Sequence, residues 1–259
     1  MDKNKKGNVL SVIVPALNEE GSIEATVLAV LMAMDNFGID GEVIVVNDGS
    51  TDKTADIVKS IIKQNNCVRL LEHERPWGIG GSFWDGVDSA TGKAVLLIPG
   101  DNETDPVEIL RYFKLLDHVD IVVPFFFNQE TRPLSRRILS NLYRMIVNFT
   151  FAINFNYTNG TILYRRSILR QLNSRSYGFF FQTDILVRLT KKGYLFAEVP
   201  CRLLSRKSGK SKAISFYSFA KIAKAYIFLI WDYYFMRSSK TSQNKDFASD
   251  SVTRIRRQG

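Results

Sequence analysis

Short apolar runs alternate along this chain with longer segments in which apolar residues recur every three or four positions. Val9–Pro15 is a nearly continuous apolar run and predicts a buried strand. Glu19–Phe37 carries Ile23, Val27, Val30, Leu31 and Met34 at helical spacing. Glu42–Val46, Val68–Glu72, Lys93–Ile98 and Asp120–Pro124 read as further strands. Between them, a helix runs to about Gln64 with Ser50 or Thr51 as its cap, another opens at Gly78, Gly80 and Gly81 and continues through Ala90, and a third covers Pro106–Leu116. Regular alternation of strand and helix predicts an α/β fold, a mostly parallel sheet covered by helices.

The second half is patterned differently. Pro133–Phe155 is long, aromatic and basic, with Arg136, Arg137 and Arg144 set among Leu134, Ile138, Leu142, Met145 and Phe149. Thr161–Tyr164 reads as a strand, Phe180–Lys191 as a helix and Leu195–Val199 as a strand. The segment 202–212 holds five basic residues and no acid, and Ser215–Met236 is a helix rich in Phe, Tyr and Trp. We divide the chain into an α/β domain at 1–212, an amphipathic aromatic helix at 213–237 and a basic, disordered tail at 238–259.

The functional loops of a parallel sheet lie at the carboxyl ends of its strands. Three polar clusters fall there: Asn18-Glu19, Asn47-Asp48-Gly49 and Gly100-Asp101-Asn102-Glu103. The last stands out, because an apolar strand stops at Gly100 and presents two carboxylates two residues apart. Asp101 and Glu103 can share a hard divalent cation such as Mg²⁺ or Mn²⁺, and such a cation can grip a diphosphate.

Composition adds limits. The 259 residues carry a net charge of +9, which favours an anionic partner. Basic residues are not interleaved with an exposed aromatic strand platform, so nucleic acid is not expected. Cys67 and Cys201 lack metal-type spacing, and a reducing compartment fits them. The run Val9–Leu17 is too short and too β-branched for a signal peptide or membrane span. Ala225–Trp231 is apolar but bracketed by Lys224 and Asp232, which suits an interfacial helix with Trp231, Tyr233, Tyr234 and Phe235 at headgroup depth. Packing of these aromatic helices on the α/β domain, or in a dimer, is the alternative. His73 and His118 read as surface or strand-end residues.

These clusters, in this order, resemble the inverting family 2 glycosyltransferases of GT-A (Rossmann-like) fold, in particular the dolichyl-phosphate mannose synthase-like and bacterial polyprenyl-phosphate enzymes. The segments that carry the resemblance are 12–20, 45–52, 78–81, Pro99-Gly100-Asp101, Phe181-Gln182-Thr183-Asp184 and 206–212. The likeness implies that Pro15, Leu17, Glu19 and Asp48 frame the base and ribose of a UDP- or GDP-sugar, with Gly100 beside them and the metal on Asp101 and Glu103. It implies that Arg132 and Arg136 or Arg137 sit near an acceptor phosphate, that Gln182 lies on the acceptor side, and that Arg206 and Lys212 close over both phosphates. The acceptor would be a polyprenyl phosphate or another lipid-linked group, reached by an enzyme peripheral to the cytoplasmic face of the membrane. Pro99 replaces the first acid of the Asp-x-Asp motif, Asn47 stands where Asp is common, and Leu17 replaces a frequent aromatic. Two alternatives stay open: transfer to a sugar hydroxyl with Asp184 as base, and a non-catalytic nucleotide-sugar binding protein. Oligomeric state is not readable from the sequence, and a homo-oligomer stays open.

Overall fold

A computed structural model describes residues 9–203, 216–236 and 246–258. Among them, seven strands form one sheet in the order β3-β2-β1-β4-β6-β5-β7. The strands are β1 Leu10–Ala16, β2 Gly41–Asn47, β3 Val68–Glu72, β4 Ala94–Leu97, β5 Ile121–Phe126, β6 Leu163–Arg165 and β7 Phe196–Cys201. β3, β2, β1 and β4 are mutually parallel, β6 is antiparallel to both β4 and β5, and β7 is parallel to β5. Two antiparallel steps restore direction, so β5 and β7 end at the same edge as β1, β2 and β4.

Helices cover both faces, which is why the central strands read as continuous apolar runs. Their period of two still sorts the side chains. Val12, Val14, Val43, Val45 and Leu96 pack on one face against Ile23, Val27 and Val30 of α1 (Ile23–Asn36) and Val58 of α2 (Thr54–Ile62). Ile13, Ile44, Val46, Val95 and Leu97 pack on the other against Phe83 and Trp84 of α3 (Ile79–Ser89) and Ile185 of α7 (Phe181–Lys192). Gly86 brings α3 onto β1: a Cβ there would lie 2.5 Å from the Ile13 side chain.

The intervening helices are α4 Pro106–Leu110, α5 Leu134–Phe151 and α6 Arg166–Arg170. The helix expected over 106–116 is therefore broken. Asp105 caps α4 through the Val107 N–H at 2.9 Å, then Tyr112 and Leu115 turn to carbonyls three residues back and form a 3₁₀ segment over Phe113–Asp117. At the other end of the chain, α8 (Phe216–Trp231) runs into a π-helical turn, Asp232–Met236. Its buried Leu229 joins Val147 and Phe151 of α5, Phe180 and Val187 in a third apolar cluster.

The tail expected to be disordered is docked over residues 246–258. The fully buried Asp120 carboxylate accepts the N–H groups of Val252 (2.8 Å) and Thr253 (3.1 Å) at the start of α9 (Val252–Gln258). The Tyr194 hydroxyl accepts the Ala248 N–H at 3.0 Å, and Phe247 meets the Tyr194 ring edge-on. A few apolar contacts and one buried carboxylate suffice to anchor a segment whose overall composition is polar.

Candidate active site

The loops after β1, β2 and β4 meet at the carboxyl edge of the sheet, and polar groups tie the first two together. Asn18, with φ of +55°, donates its N–H to Ser50 Oγ at 2.9 Å, and its Oδ1 accepts the Thr51 N–H at 2.8 Å. Glu19 N–H donates to Thr54 Oγ1, Glu20 N–H to Asp52 Oδ2, and Lys53 N–H to Glu20 Oε2. Ser50 and Thr51 are thus joined to the neighbouring loop, correcting their expected role as caps of α2. The N–H of Thr54, the first residue of α2, is instead satisfied by Asp52 Oδ1 at 3.0 Å. The same competition shortens α1: residues 18–20 bond across loops, and helical structure begins at Ile23.

Gly100 is fixed from both sides. Its N–H donates to Pro15 O at 3.0 Å, and its carbonyl accepts the hydroxyls of Ser22 (2.9 Å) and Thr26 (3.1 Å). A Cβ at Gly100 would lie 3.1 Å from Pro15 O and 3.2 Å from Ala16 Cβ. The chain then turns through Asn102 at φ +55°, and Asp101 Oδ1 accepts the Glu103 N–H at 3.1 Å. Asp101 is half-buried and Glu103 exposed. Two carboxylates with no thiol or imidazole among them suit a hard cation that takes one or two protein oxygens and completes its shell with phosphate and water. The pair fits Mg²⁺ or Mn²⁺. Among the described residues, no group of three or more His, Cys, Asp and Glu gathers into an all-protein metal cage.

The expected nucleotide contacts fare unevenly. Leu17 and Glu19 are half-buried on the β1 loop, where Glu19 Oε2 accepts the Ser22 hydroxyl at 3.0 Å. Pro15 is buried within β1, and its contribution at this edge is the carbonyl that holds Gly100. Asp48 is 4% exposed, and its carboxylate is occupied by the chain itself. Oδ1 accepts the Trp77 N–H and contacts His73 Nδ1, and Oδ2 accepts the Gly78 N–H, all at 2.8 Å. His73 follows β3 directly, as a strand-end residue, with its side chain only 9% exposed. Its signal in the sequence was position: β3 pairs with β2, so residues after both strands share an edge.

Gln182 is buried: its Oε1 accepts the Gly160 N–H at 2.6 Å, and its Nε2 donates to the Gly160 carbonyl. That holds the 156–160 loop, which Glu198 also grips through Asn156. Asp184 is likewise buried, with Arg188 Nε 2.8 Å from its Oδ1, and Arg188 also bonds Asp232 beyond α8. Burial pushes the Asp184 carboxyl up despite the opposing pull of Arg188. A carboxylate so enclosed fits a structural or orienting acid better than the accessible base of the hydroxyl alternative.

Arg132 follows β5 at the common edge, its guanidinium 5.4 Å from the Phe126 ring centre and 6.0 Å from that of Tyr157. Arg136 and Arg137 open α5, exposed and half-buried respectively. Arg206 and Lys212 lie outside the described residues. The chain heads toward them from Leu203, which exchanges two hydrogen bonds with Asn128.

α5 presents an apolar stripe to solvent. Leu134, Ile138, Leu142, Met145 and Phe149 recur at three- and four-residue spacing, and Phe149 is 92% exposed. α8 and its π turn add exposed Ile227, Phe228, Trp231 and Phe235, while Tyr233 packs inward. Among the described residues, no helix is long and apolar enough to cross a membrane.

Comparison with known proteins agrees with this architecture. The solved structure of glucosyl-3-phosphoglycerate synthase from Mycobacterium tuberculosis with UDP superposes with a TM-score of 0.66 at 20% identity, covering 88% of this chain and 80% of that one. The same enzyme with Mn²⁺, UDP-glucose and phosphoglyceric acid gives 0.63 at 21% identity, with the same coverage. These likenesses establish the GT-A fold. The dodecaprenyl-phosphate galacturonate synthase of Rhizobium johnstonii is 29% identical over 167 residues, 63% of this chain and 49% of that protein. The undecaprenyl-phosphate 4-deoxy-4-formamido-L-arabinose transferase of Edwardsiella ictaluri is 25% identical over 210 residues, 78% and 62%. The chain thus spans about half to three-fifths of the length of these relatives. The model of the family described as glycosyl transferase family 2 matches residues 11–172, well over half the chain, and with the fold and the loop arrangement above it this chain belongs to that family.

Proposed function

We propose that this chain transfers a sugar from a UDP- or GDP-sugar to a polyprenyl phosphate, working at the surface of a membrane. The observation that carries the acceptor class is the exposed apolar stripe of α5. A soluble glycan acceptor gives no reason to hold Phe149 and Met145 in water, whereas a lipid acceptor requires the enzyme to lie against its bilayer. The enclosure of Asp184 points the same way. A sugar hydroxyl needs a base to take its proton, but a phosphate arrives ionised and needs cations to hold it. Arg132, Arg136 and Arg137 stand where β5 passes into α5, and Arg206 and Lys212 follow β7 in sequence.

On this reading the β1 loop, with Leu17 and Glu19, receives the nucleoside, and Gly100 lets the β4 loop lie close under the diphosphate. Asp101 and Glu103 would hold Mg²⁺ or Mn²⁺, which supplies positive charge against the departing nucleoside diphosphate. A phosphate oxygen of the acceptor attacks the anomeric carbon, the bond from that carbon to the diphosphate oxygen breaks, and the nucleoside diphosphate leaves. Inversion follows from attack opposite the leaving group. The enzyme would lie peripherally on the cytoplasmic face, with α5 and the end of α8 in the headgroup layer. The polyprenyl-phosphate relatives support this acceptor class.

The test is nucleoside diphosphate release from a panel of UDP- and GDP-sugars with Mn²⁺, with and without a short-chain polyprenyl phosphate. Release that depends on the lipid phosphate supports the reading. Release driven by a soluble sugar acceptor instead would overturn it.

A further inference from the structure

His73 is a largely enclosed polar side chain at the carboxyl edge that the mechanism above leaves without a part. Its ring lies between two carboxylates. Nδ1 is 2.8 Å from Asp48 Oδ1, and Nε2 is 2.8 Å from Asp85 Oδ2. The two contacts differ in kind. The Nδ1 contact is a hydrogen bond, whereas Nε2, for all its nearness to Asp85, makes none among the described residues. The side chain is 9% exposed and that of Asp48 5%, while Asp85 is 37% exposed.

Asp48 in turn organises the loop after β3. It belongs to the sheet edge, since its own N–H donates to Ala16 O at 2.8 Å, and the His73 N–H donates to Asn47 O at 2.9 Å. Its carboxylate takes the N–H groups of Trp77 and Gly78, so both ends of the 73–78 segment hang from one side chain. Gly78, at φ +86°, turns the chain there into α3. Gly49, at φ +76°, lies against this segment, where a Cβ would sit 3.0 Å from the Arg75 carbonyl carbon. The Trp77 ring leans on the imidazole, 5.2 Å between centres at 30°. Neither ring belongs to the apolar clusters of the core. The assembly holds loops rather than filling the interior.

We infer that His73 is a positioning residue for the donor: through its Nδ1 bond it fixes the Asp48 carboxylate, and through Asp48 it holds the 73–78 loop in the shape that receives the nucleotide. This rests on the proposal that the β1 loop receives the nucleoside at the carboxyl edge, which the loops after β2 and β3 share. The hydrogen-bond geometry makes the inference specific. An Asn amide nitrogen can stand near the position of Nδ1 and renew the bond to Asp48, whereas a Gln amide reaches toward the position of Nε2, where no directed bond exists to restore.

The experiment titrates UDP and GDP, with Mn²⁺, into wild type, His73→Ala, His73→Asn and His73→Gln by calorimetry. Donor KM, kcat and the unfolding midpoint are measured on the same proteins. Loss of one buried hydrogen bond to a charged group predicts about tenfold weaker nucleotide binding and a donor KM raised to match in His73→Ala, with kcat within about threefold. His73→Asn regains most of the affinity and His73→Gln does not. Asn and Gln both remove the ring, so a general packing defect would move them together. Equal affinity across all four proteins, or equal loss in all three variants, overturns the inference while leaving the donor site in place. A wild type that binds neither nucleotide overturns the donor site itself, and the inference with it.

Discussion

Arg188 Nε lies 2.8 Å from Asp184 Oδ1, one helical turn along α7, and both side chains are buried. Arg188 also reaches Asp232 in the π turn after α8, so one guanidinium joins α7 to the C-terminal aromatic helix. Removing Asp184 takes away the more buried of the two carboxylates that balance Arg188 and leaves Asp232 alone against a buried guanidinium. Asp184→Asn should therefore destabilise the protein by about 3 kcal/mol. Below its lowered unfolding temperature, its kcat should stay within about tenfold of wild type, since the carboxylate takes no proton in phosphate transfer. Calorimetric unfolding and steady-state kinetics on the same preparation check this. A collapsed kcat with unchanged stability would restore Asp184 as a base.

Asp101 and Glu103 are not equivalent ligands. Asp101 is half-buried and orders its own loop through the Glu103 N–H, whereas Glu103 is exposed. Asp101→Asn should lower metal-dependent turnover about 100-fold, and Glu103→Gln about tenfold with a higher Mn²⁺ requirement. Turnover measured against Mn²⁺ concentration gives both numbers. An unchanged Asp101→Asn enzyme would remove the metal from this loop.

The α5 stripe makes a prediction that needs no catalysis. Replacing Leu142 and Phe149 together by Glu should weaken binding to vesicles of mixed neutral and anionic phospholipid by at least about tenfold, because each apolar side chain loses roughly 1.5–3 kcal/mol on leaving the interface. Cosedimentation measures it. Nucleotide affinity should be unaffected, since neither residue lies on the β1, β2 or β4 loops.

Glu42 supplies a pH dependence of stability far from the chemistry. Burial acts to raise its carboxyl, but hydrogen bonds from Ser11, the Thr91 N–H and the Thr91 hydroxyl, with the charge of Arg69, more than offset this and leave it below its ordinary value. A carboxyl lowered in the folded state stabilises it above the unfolded value, and that stabilisation is lost as pH falls through the folded value. Wild type should lose stability on acidification below about pH 4.5. Glu42→Gln should be less stable at neutral pH and show a shallower acid slope in denaturant titrations at pH 3 to 7.

The sheet, its parallel direction and the three polar loops were legible because buried parallel strands and amphipathic helices write strong periodicities. The Asp101–Glu103 cluster was legible because an apolar strand ended at it. Other assignments failed where one residue type serves two purposes. Ser50 and Thr51 suit a helix cap and a cross-loop bond equally, and only the approach of Asn18, 32 residues away, decides. For Gln182 and Asp184 the residue types were legible but their partners, the Gly160 backbone and Arg188, were not. His73 was read no further than surface or strand end, and Phe247 not at all, because a lone histidine or a lone aromatic in a polar segment has no period. Their roles come from Asp48 and Tyr194, which the fold alone brings near.

The central claim is that the sugar is joined to a lipid phosphate. The most direct measurement is mass spectrometry and phosphorus NMR of the lipid recovered after incubating the enzyme with Mn²⁺, its nucleotide-sugar and a short-chain polyprenyl phosphate. The account predicts a lipid heavier by one sugar residue, with its phosphate converted from monoester to diester. A phosphate that remains a monoester, with the sugar found on a hydroxyl acceptor, would contradict it.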